Sequence, residues 1–555
     1  MKKAELIGDT IFCVDVDPQA VEITRMWLYI LMLEEEASPI VTGERRYKIP
    51  NRIFPPRIEA FQLPSLAGNV INGNSLVGPD FSDNPEQRAA AKVFDWKSGD
   101  HALSKAVQQG GFDVIAGNPP YLRYSDAVKH IPQQAAYLRA TYRSMSARQA
   151  DLSYAFIEKG LDLLKPTGRL GYITSNIFIW TGAGAALRQV IADSRSLREL
   201  TDLGIANVFE DARPATAVVI LDGKPRRYFK HARVLVEDLV DDTVLSAFPS
   251  VKHTQFPSSR LAARNWTFPA PSDAAAFERI SRHGIRLDEI ANGFSGVTSG
   301  ADPIFLVERL RNEGRKALVR SKQSQDPFWI ESNLLRPVFR GRHIYRYKPM
   351  VPSEWLIVPH EKDGAPLSLD VLARRFPLGF DYLSQHKSKL QSRPEFAPPN
   401  QTWYALHRIR DPRLMNGPKL VTGWRKGAAQ FTLDSKGHLF QSVGCGVSLT
   451  DKRFDLPMLL GLLNSRPVYA YARTMKPELW SGIVFASTLV ESIPIVAMTG
   501  KSRPLYAAIG ARAQRILDLE TRADADPTAA EEAQKLQDEI DDIVLALYAL
   551  DPDTL

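Results

Sequence analysis

Asn118-Pro119-Pro120-Tyr121 brings together the residue types best suited to chemistry in this chain. Proline has no N–H, so a Pro-Pro pair offers carbonyl oxygens with no competing donors. Asn118 adds a side-chain acceptor, and Tyr121 adds a flat aromatic face. The set suits a planar ring that carries an amino group. Two acceptors take the two amino hydrogens, the ring stacks on the tyrosine, and electron density shifts onto the nitrogen. Pro-Pro-Tyr alone is an ordinary turn. What lifts it here is Asn118 directly ahead of it, at the end of the apolar run Val114 to Ala116.

The elements that must position this stretch can be read outward from it. Val114 to Ala116 follows a glycine pair and predicts a short buried strand ending at Gly117, which delivers Asn118 to the rim of a sheet. Ile11 to Asp17 predicts a second strand ending in acids. A helix from Gln19 to Glu36 follows, with Pro18 in its first turn and Ala20, Ile23, Trp27 and Leu31 on one face. An acid at the tip of a strand that leads into a helix is where nucleotide-binding folds hold ribose hydroxyls. Strand alternation aims Asp15 into that crevice and leaves Asp17 to cap the helix. Asn69 to Leu76 predicts a strand and turn, and Asp151 to Leu164 an amphipathic helix ended by Lys165-Pro166-Thr167-Gly168. Arg169 to Thr174, Leu197 to Leu203 and Ala215 to Leu221 predict further strands. This alternation is that of an α/β fold. Thr181-Gly182-Ala183-Gly184, with Asp202 downstream, has the spacing of a dinucleotide loop. With the strand-tip acid already at Asp15, it reads as an ordinary helix start.

Phe94-Asp95-Trp96, Gly110-Gly111-Phe112-Asp113 and Asn118 to Tyr121 together resemble the gamma-class adenine DNA methyltransferases of type II and type IIG restriction–modification systems. The resemblance implies a Rossmann-like S-adenosylmethionine-dependent methyltransferase domain over residues 1–264. It further implies a mixed α+β, TaqI-like target-recognition domain over 265–500, and a C-terminal helical pair over 501–555. It makes Asn118, Pro119, Pro120 and Tyr121 catalytic, with Tyr121 and Phe209 sandwiching a flipped adenine. Asp15 would bind the ribose of S-adenosyl-L-methionine, and Asn74 its adenine, where many relatives carry Asp. The family's Gly-rich cofactor loop, which follows a first strand, has no counterpart ahead of Asp15. The domain is therefore expected to be incomplete at its N-terminus, with an upstream-encoded N-terminal fragment or a nuclease subunit as a partner.

From Trp266 to Val496 the character changes to short strands, many turns, and aromatics beside basic residues. Such residues can grip phosphates or read base edges, a role assigned here to the domain and not to single side chains. Leu505 to Leu519 and the stripe Leu536, Ile540, Ile543, Val544 and Leu547 predict two closing helices. The 555 residues carry a net charge of +7, compatible with double-stranded DNA as partner. Two cysteines exclude a disulfide framework and a zinc site, and no metal is expected. No signal peptide or membrane-length apolar run is seen, so a cytoplasmic location without membrane association is expected. The function expected is transfer of a methyl group to the exocyclic amino group of a flipped adenine. The alternatives are a DNA-binding specificity subunit, or half of a split enzyme, inactive without a partner chain. A protein or ribosomal RNA methyltransferase with the same Asn-Pro-Pro-Tyr site is a third reading.

Overall fold

Apolar strands linked by helices bury themselves by pairing side by side and taking helices on their faces. The computed structural model describes residues 2–41, 64–99, 101–204, 215–234, 251–269, 271–352, 354–393, 402–423, 429–441, 444–475, 483 and 485–551. It divides into two compact units, Met1–Trp266 and Thr267–Leu555.

The first unit opens with helix α1 (Lys2–Thr10), β1 (Cys13–Asp15), α2 (Pro18–Val41) and β2 (Val70–Asn72). Helix α1 stands where the sequence predicted none. β1 and β2 pair in parallel as a separate two-stranded sheet. Val21, Leu28 and Met32 of α2 recur at helical spacing and bury against Ala4, Ile7, Leu66 and Val70. Helices α3 (Pro85–Ala91) and α4 (Ala102–Gln108) lead to β3 (Phe112–Gly117). After it come α5 (Tyr124–His130), α6 (Pro132–Thr141), α7 (Leu152–Asp162), β4 (Leu164–Ser175), α8 (Ala185–Ser194), β5 (Leu197–Gly204) and β6 (Thr216–Asp222). β7 (Tyr228–Arg233) and β8 (Thr254–Pro257) extend the sheet through a stretch that the sequence left as a transition. The six strands run in the order β3-β4-β6-β5-β7-β8. β3 and β4 are parallel, and β6 runs antiparallel between β4 and β5.

Two local features needed the structure. Lys165 to Gly168 was expected to be a turn outside the strand. It lies within β4 as an outward loop, because pairing to β3 jumps from Phe112↔Leu164 to Val114↔Arg169. Thr181-Gly182-Ala183-Gly184 does open a helix, through a short 3-10 turn at Gly182–Gly184. Gly184 is needed there because a Cβ would meet the Phe178 carbonyl oxygen at 2.3 Å. Beneath that turn Arg188, 1% exposed, donates to the carbonyls of Phe178, Thr181, Ala263 and Arg264. The loop is thus filled by protein, and Asp202 bonds Asn176 and Arg233 instead.

The second unit holds an antiparallel four-stranded sheet in the order Ala291–Ser295, Cys445–Leu449, Lys419–Thr422, Phe431–Asp434. A six-stranded sheet includes Leu306–Glu313, Lys316–Ser321, Phe328–Glu331 and Glu354–Ile357. Arg503–Glu520 and Pro527–Leu547 are long helices whose apolar stripes join one core with the helix Leu456–Leu463 and the four-stranded sheet. Tyr347, Trp403 and Tyr404, aromatics of the stretch from Trp266 to Val496, are core residues of this unit. Among the described residues no helix is long and apolar enough to cross a membrane, and no cluster of potential metal ligands occurs.

Candidate functional site

β3 ends at Gly117 and places Asn118 at the C-terminal rim of the sheet, exposed to solvent. Pro119 is buried, Pro120 exposed and Tyr121 half-buried. Among the described residues no protein hydrogen bond occupies the Asn118 side chain or the Pro119 carbonyl, so both acceptors stand open. The turn is fixed from downstream. The Leu152 N–H donates to the Leu122 carbonyl at 2.8 Å, and the Tyr124 N–H to the Ala150 carbonyl at 2.8 Å. These bonds pin the segment after Tyr121 to the N-terminus of α7, where Asp151 caps the helix by accepting from the Ser153 N–H. The Tyr121 hydroxyl is buried with no hydrogen-bond partner. Burial, reinforced by the nearby Asp151, pushes its pKa up to about 12. A phenol held neutral with an unused O–H fits a stacking face better than a proton-transfer group.

Asp15 closes β1 and is exposed. One carboxylate oxygen accepts the Asp17 N–H at 2.7 Å. Asp17 in turn accepts the Gln19 N–H at 2.9 Å, which is the helix-capping role expected of it. The tips of β1 and β2 are tied by the Asn72 amide, which donates to the carbonyls of Asp15 and Val16. Lys92 donates to the Val16 carbonyl as well. The Asn74 backbone bridges to Val93. Its side-chain carbonyl accepts the Leu76 N–H at 3.1 Å, and its NH2 donates to Gln134 Oε1 at 3.2 Å. Asn74 therefore organises its own turn and meets α6, whose Tyr137 bonds Asp80 and Gly78 close by. Asn72, Lys92, Gln134 and Tyr137 carry no local sequence signal: each acts through long-range contacts invisible to local pattern. Phe209 lies outside the described residues.

The Phe94-Asp95-Trp96 stretch is a scaffold. Phe94 stacks on His101 with centroids 5.0 Å apart, and Trp96 meets Phe94 edge-on at 4.8 Å and Phe112 at 6.1 Å. The Trp96 indole N–H donates to the Ser75 carbonyl at 2.9 Å. This aromatic chain joins the turn after β2 to the start of β3.

Residues 9–209 match the family described as Eco57I restriction-modification methylase. This stretch is similar to a restriction-modification methylase domain. Relatives extend beyond it. The chain is 23% identical over 493 residues to the type II restriction enzyme and methyltransferase RM.Eco57I of Escherichia coli, covering 84% of this chain and 45% of that protein. It is 25% identical over 332 residues to the type II methyltransferase M.BstVI of Geobacillus stearothermophilus, covering 56% of this chain and 54% of that protein. It is also 25% identical over 432 residues to M.PaeR7I of Pseudomonas aeruginosa, covering 75% and 70%. The chain thus spans about half the length of the first two relatives. Among solved structures, the type IIL restriction-modification enzyme MmeI in complex with DNA superposes with a TM-score of 0.52 at 14% identity, over 79% of this chain and 55% of that one. That likeness establishes a shared fold. Within the matching stretch the exposed Asn118 stands at the tip of β3, at the strand end expected for it.

In the second unit, the strand Leu306–Glu313 carries Arg309 with its guanidinium 4.4 Å from the Trp355 ring, and Arg311 5.3 Å from that of Trp329. Each is a cation braced on an indole, and the register shift between Arg309 and Arg311 sets them beside Val319 and Leu318. The sequence reading passed over these pairs because the partners lie on different strands.

Proposed function

We propose that the chain methylates the exocyclic amino group of adenine in double-stranded DNA, as the modification enzyme of a restriction-modification system. The observation that carries this reading is the pair of open acceptors, the Asn118 side chain and the Pro119 carbonyl, beside the Tyr121 ring at the tip of β3. S-adenosyl-L-methionine, when bound, supplies the methyl group. Asp15 fits its ribose hydroxyls, with an exposed strand-tip carboxylate that has only one oxygen engaged by the chain. Asn74 fits the adenine edge less freely, since Gln134 already takes one of its N–H groups. The adenine to be methylated leaves the stack at a cost of a few kcal/mol and lies against Tyr121; Phe209 is proposed for its other face. Asn118 and the Pro119 carbonyl accept the two amino hydrogens, and this contact holds the nitrogen lone pair in line for attack. Arg309 and Arg311, on their tryptophans, are proposed to meet the DNA backbone or base edges.

The test is methyl transfer from labelled S-adenosylmethionine to mixed-sequence duplex DNA. Asn118→Ala is expected to abolish incorporation while leaving DNA binding intact. Full incorporation by that variant overturns the reading. A second reading, a DNA-binding subunit that needs a partner chain for chemistry, is favoured by β1 and β3 each pairing with a single strand among the described residues. It predicts DNA binding without incorporation until a partner is added.

A further inference from the structure

The stretch Asp222 to Lys230, which turns from β6 into β7, holds four basic residues and one acid. It sits far from Asn118. Arg198 and Tyr228 lie at the starts of β5 and β7, which run the same way as β3, whereas Asn118 follows the end of β3. Across the sheet, β7 stands four strand spacings from β3, roughly 20 Å at the usual distance between strands. The acid, Asp222, is 6% exposed and gathers three guanidiniums: Arg226 at 2.6 Å, Arg198 at 3.3 Å and Arg169 at 3.4 Å. Burial pushes its carboxyl pKa up, but Arg226 and Arg198 outweigh burial and hold it below the usual carboxylate range. One anion thus faces three cations, and the cluster stays positive. A guanidinium has five N–H donors, so two carboxylate oxygens cannot take all that three of them offer.

The backbone beneath the cluster is laced together. The Asp222 N–H donates to the Ser196 carbonyl at 2.8 Å, the Gly223 N–H to the Gly168 carbonyl at 3.0 Å, and the Arg226 N–H to the Arg195 carbonyl at 2.9 Å. Gly223 packs so closely that a Cβ there would collide with the Lys165 carbonyl oxygen. The guanidiniums are therefore held in place before any ligand arrives, which lowers the cost of binding one. Beside them lies an open cavity of about 340 Å³, lined by Arg198, Arg226, Tyr228, Lys230, Gln255 and Glu199. The register sets Lys230 between Gln255 on β8 and Glu199 on β5. The Glu199 carboxylate lies 3.3 Å from His253 Nε2. Tyr228, 52% exposed, adds a hydroxyl donor, and Gln255 adds an amide.

We propose that this corner of the first unit is a further DNA contact, which grips backbone phosphates well away from the target base. Fixed guanidiniums match phosphate oxygens two N–H groups at a time, and Lys230 adds a point charge. A phosphate carries no sequence information, so the contact holds any duplex. An open cavity on a sheet face suits a backbone that passes over it, whereas a small free anion is better held in an enclosed one. The inference rests on DNA as the partner proposed above and adds a second place where that partner is held.

The test measures duplex DNA binding by the full chain across a range of salt, and pyrophosphate binding by calorimetry. Two variants are compared with the parent chain: Lys230→Gln, which touches none of the Asp222 ion pairs, and the double variant Arg198→Gln/Lys230→Gln, which leaves Arg226 and Arg169 on Asp222. Urea midpoints check that both fold. The slope of log affinity against log salt is expected to become shallower by about one in the single variant and about two in the double. Methyl transfer at saturating DNA is expected to stay at the parent level. A purely structural role for the cluster lowers the urea midpoint of the double variant and leaves both slopes alone. Unchanged slopes, in a parent chain that binds DNA, overturn the proposal. Slopes that change as expected in a chain that transfers no methyl group sustain the contact and overturn the methylase reading instead. A parent chain that binds no DNA overturns both, and pyrophosphate then decides what the corner is. Uptake by the parent chain and not by the double variant makes it a site for a free anion, and no uptake makes it a structural tie.

Discussion

At Tyr121 the structure turns a sequence motif into a physical state. The hydroxyl has no partner, and burial holds it protonated with a pKa of about 12. Its proton is therefore retained through the range in which free tyrosines ionise. Tyr121→Phe is expected to keep methyl transfer within about threefold, since the ring face does the work, whereas Tyr121→Ala is expected to lose it by about a hundredfold or more. Steady-state kinetics on duplex DNA checks both. Tyr172 is likewise pushed up to about 12 by burial. For phenols the sign is clear. The folded form keeps protons that the unfolded form releases above about pH 10, so stability is full below that pH and falls as pH rises through about 12. Chemical denaturation between pH 8 and pH 12 should show an alkaline decline, with no change in these groups' contribution below pH 9. Asn118, Pro119 and Tyr121, proposed to carry the chemistry, stand out in the sequence because they lie within one four-residue string. Asn72, Lys92 and Gln134 do not, because each earns its place from a backbone carbonyl or side chain far away in sequence.

Strand tips and helix starts were legible for the same local reason. Asp15, Asp17 and Asn118 sit where apolar runs stop, and Asp17 caps α2 as its position implied. β7 and β8 escaped notice because charged and aromatic residues interrupt their alternation, so periodicity does not reveal them. What anchors α8 is also non-local. The buried Arg188 guanidinium gathers carbonyls from the turn before the helix and from residues 263 and 264. Burial lowers its pKa to about 10, which still leaves it charged at neutral pH. Arg188→Met removes these donors and strands several buried carbonyls. It is expected to destabilise the first unit by about 2–4 kcal/mol, read as a lowered midpoint in urea.

Two compact units and a net charge of +7 shape the behaviour of the whole chain. If the basic side chains meet a DNA backbone, affinity must fall with salt as counterions are released. Binding to mixed-sequence duplex is expected to weaken by about tenfold or more between 50 and 200 mM salt. A flat profile in a fluorescence titration would remove the DNA-facing role of Arg309 and Arg311. The sequence changes from long alternating elements to short strands near Trp266, where one compact unit ends and the next begins. The internal wiring of the second unit was not legible, because its sheets join strands from distant parts of the sequence.

That wiring has a consequence for how the chain is born. The Tyr347 hydroxyl donates to Gln537 at 2.8 Å, Asp541 accepts the Arg466 guanidinium at 2.7 Å, and the Tyr548 hydroxyl reaches the Pro494 carbonyl at 2.8 Å. The final helix, Pro527–Leu547, is thus a structural wall of the second unit. Until those residues have left the ribosomal exit tunnel they cannot dock. The first unit can fold during synthesis, but the second must wait for its final helix to emerge and is exposed to chaperones and proteases until then.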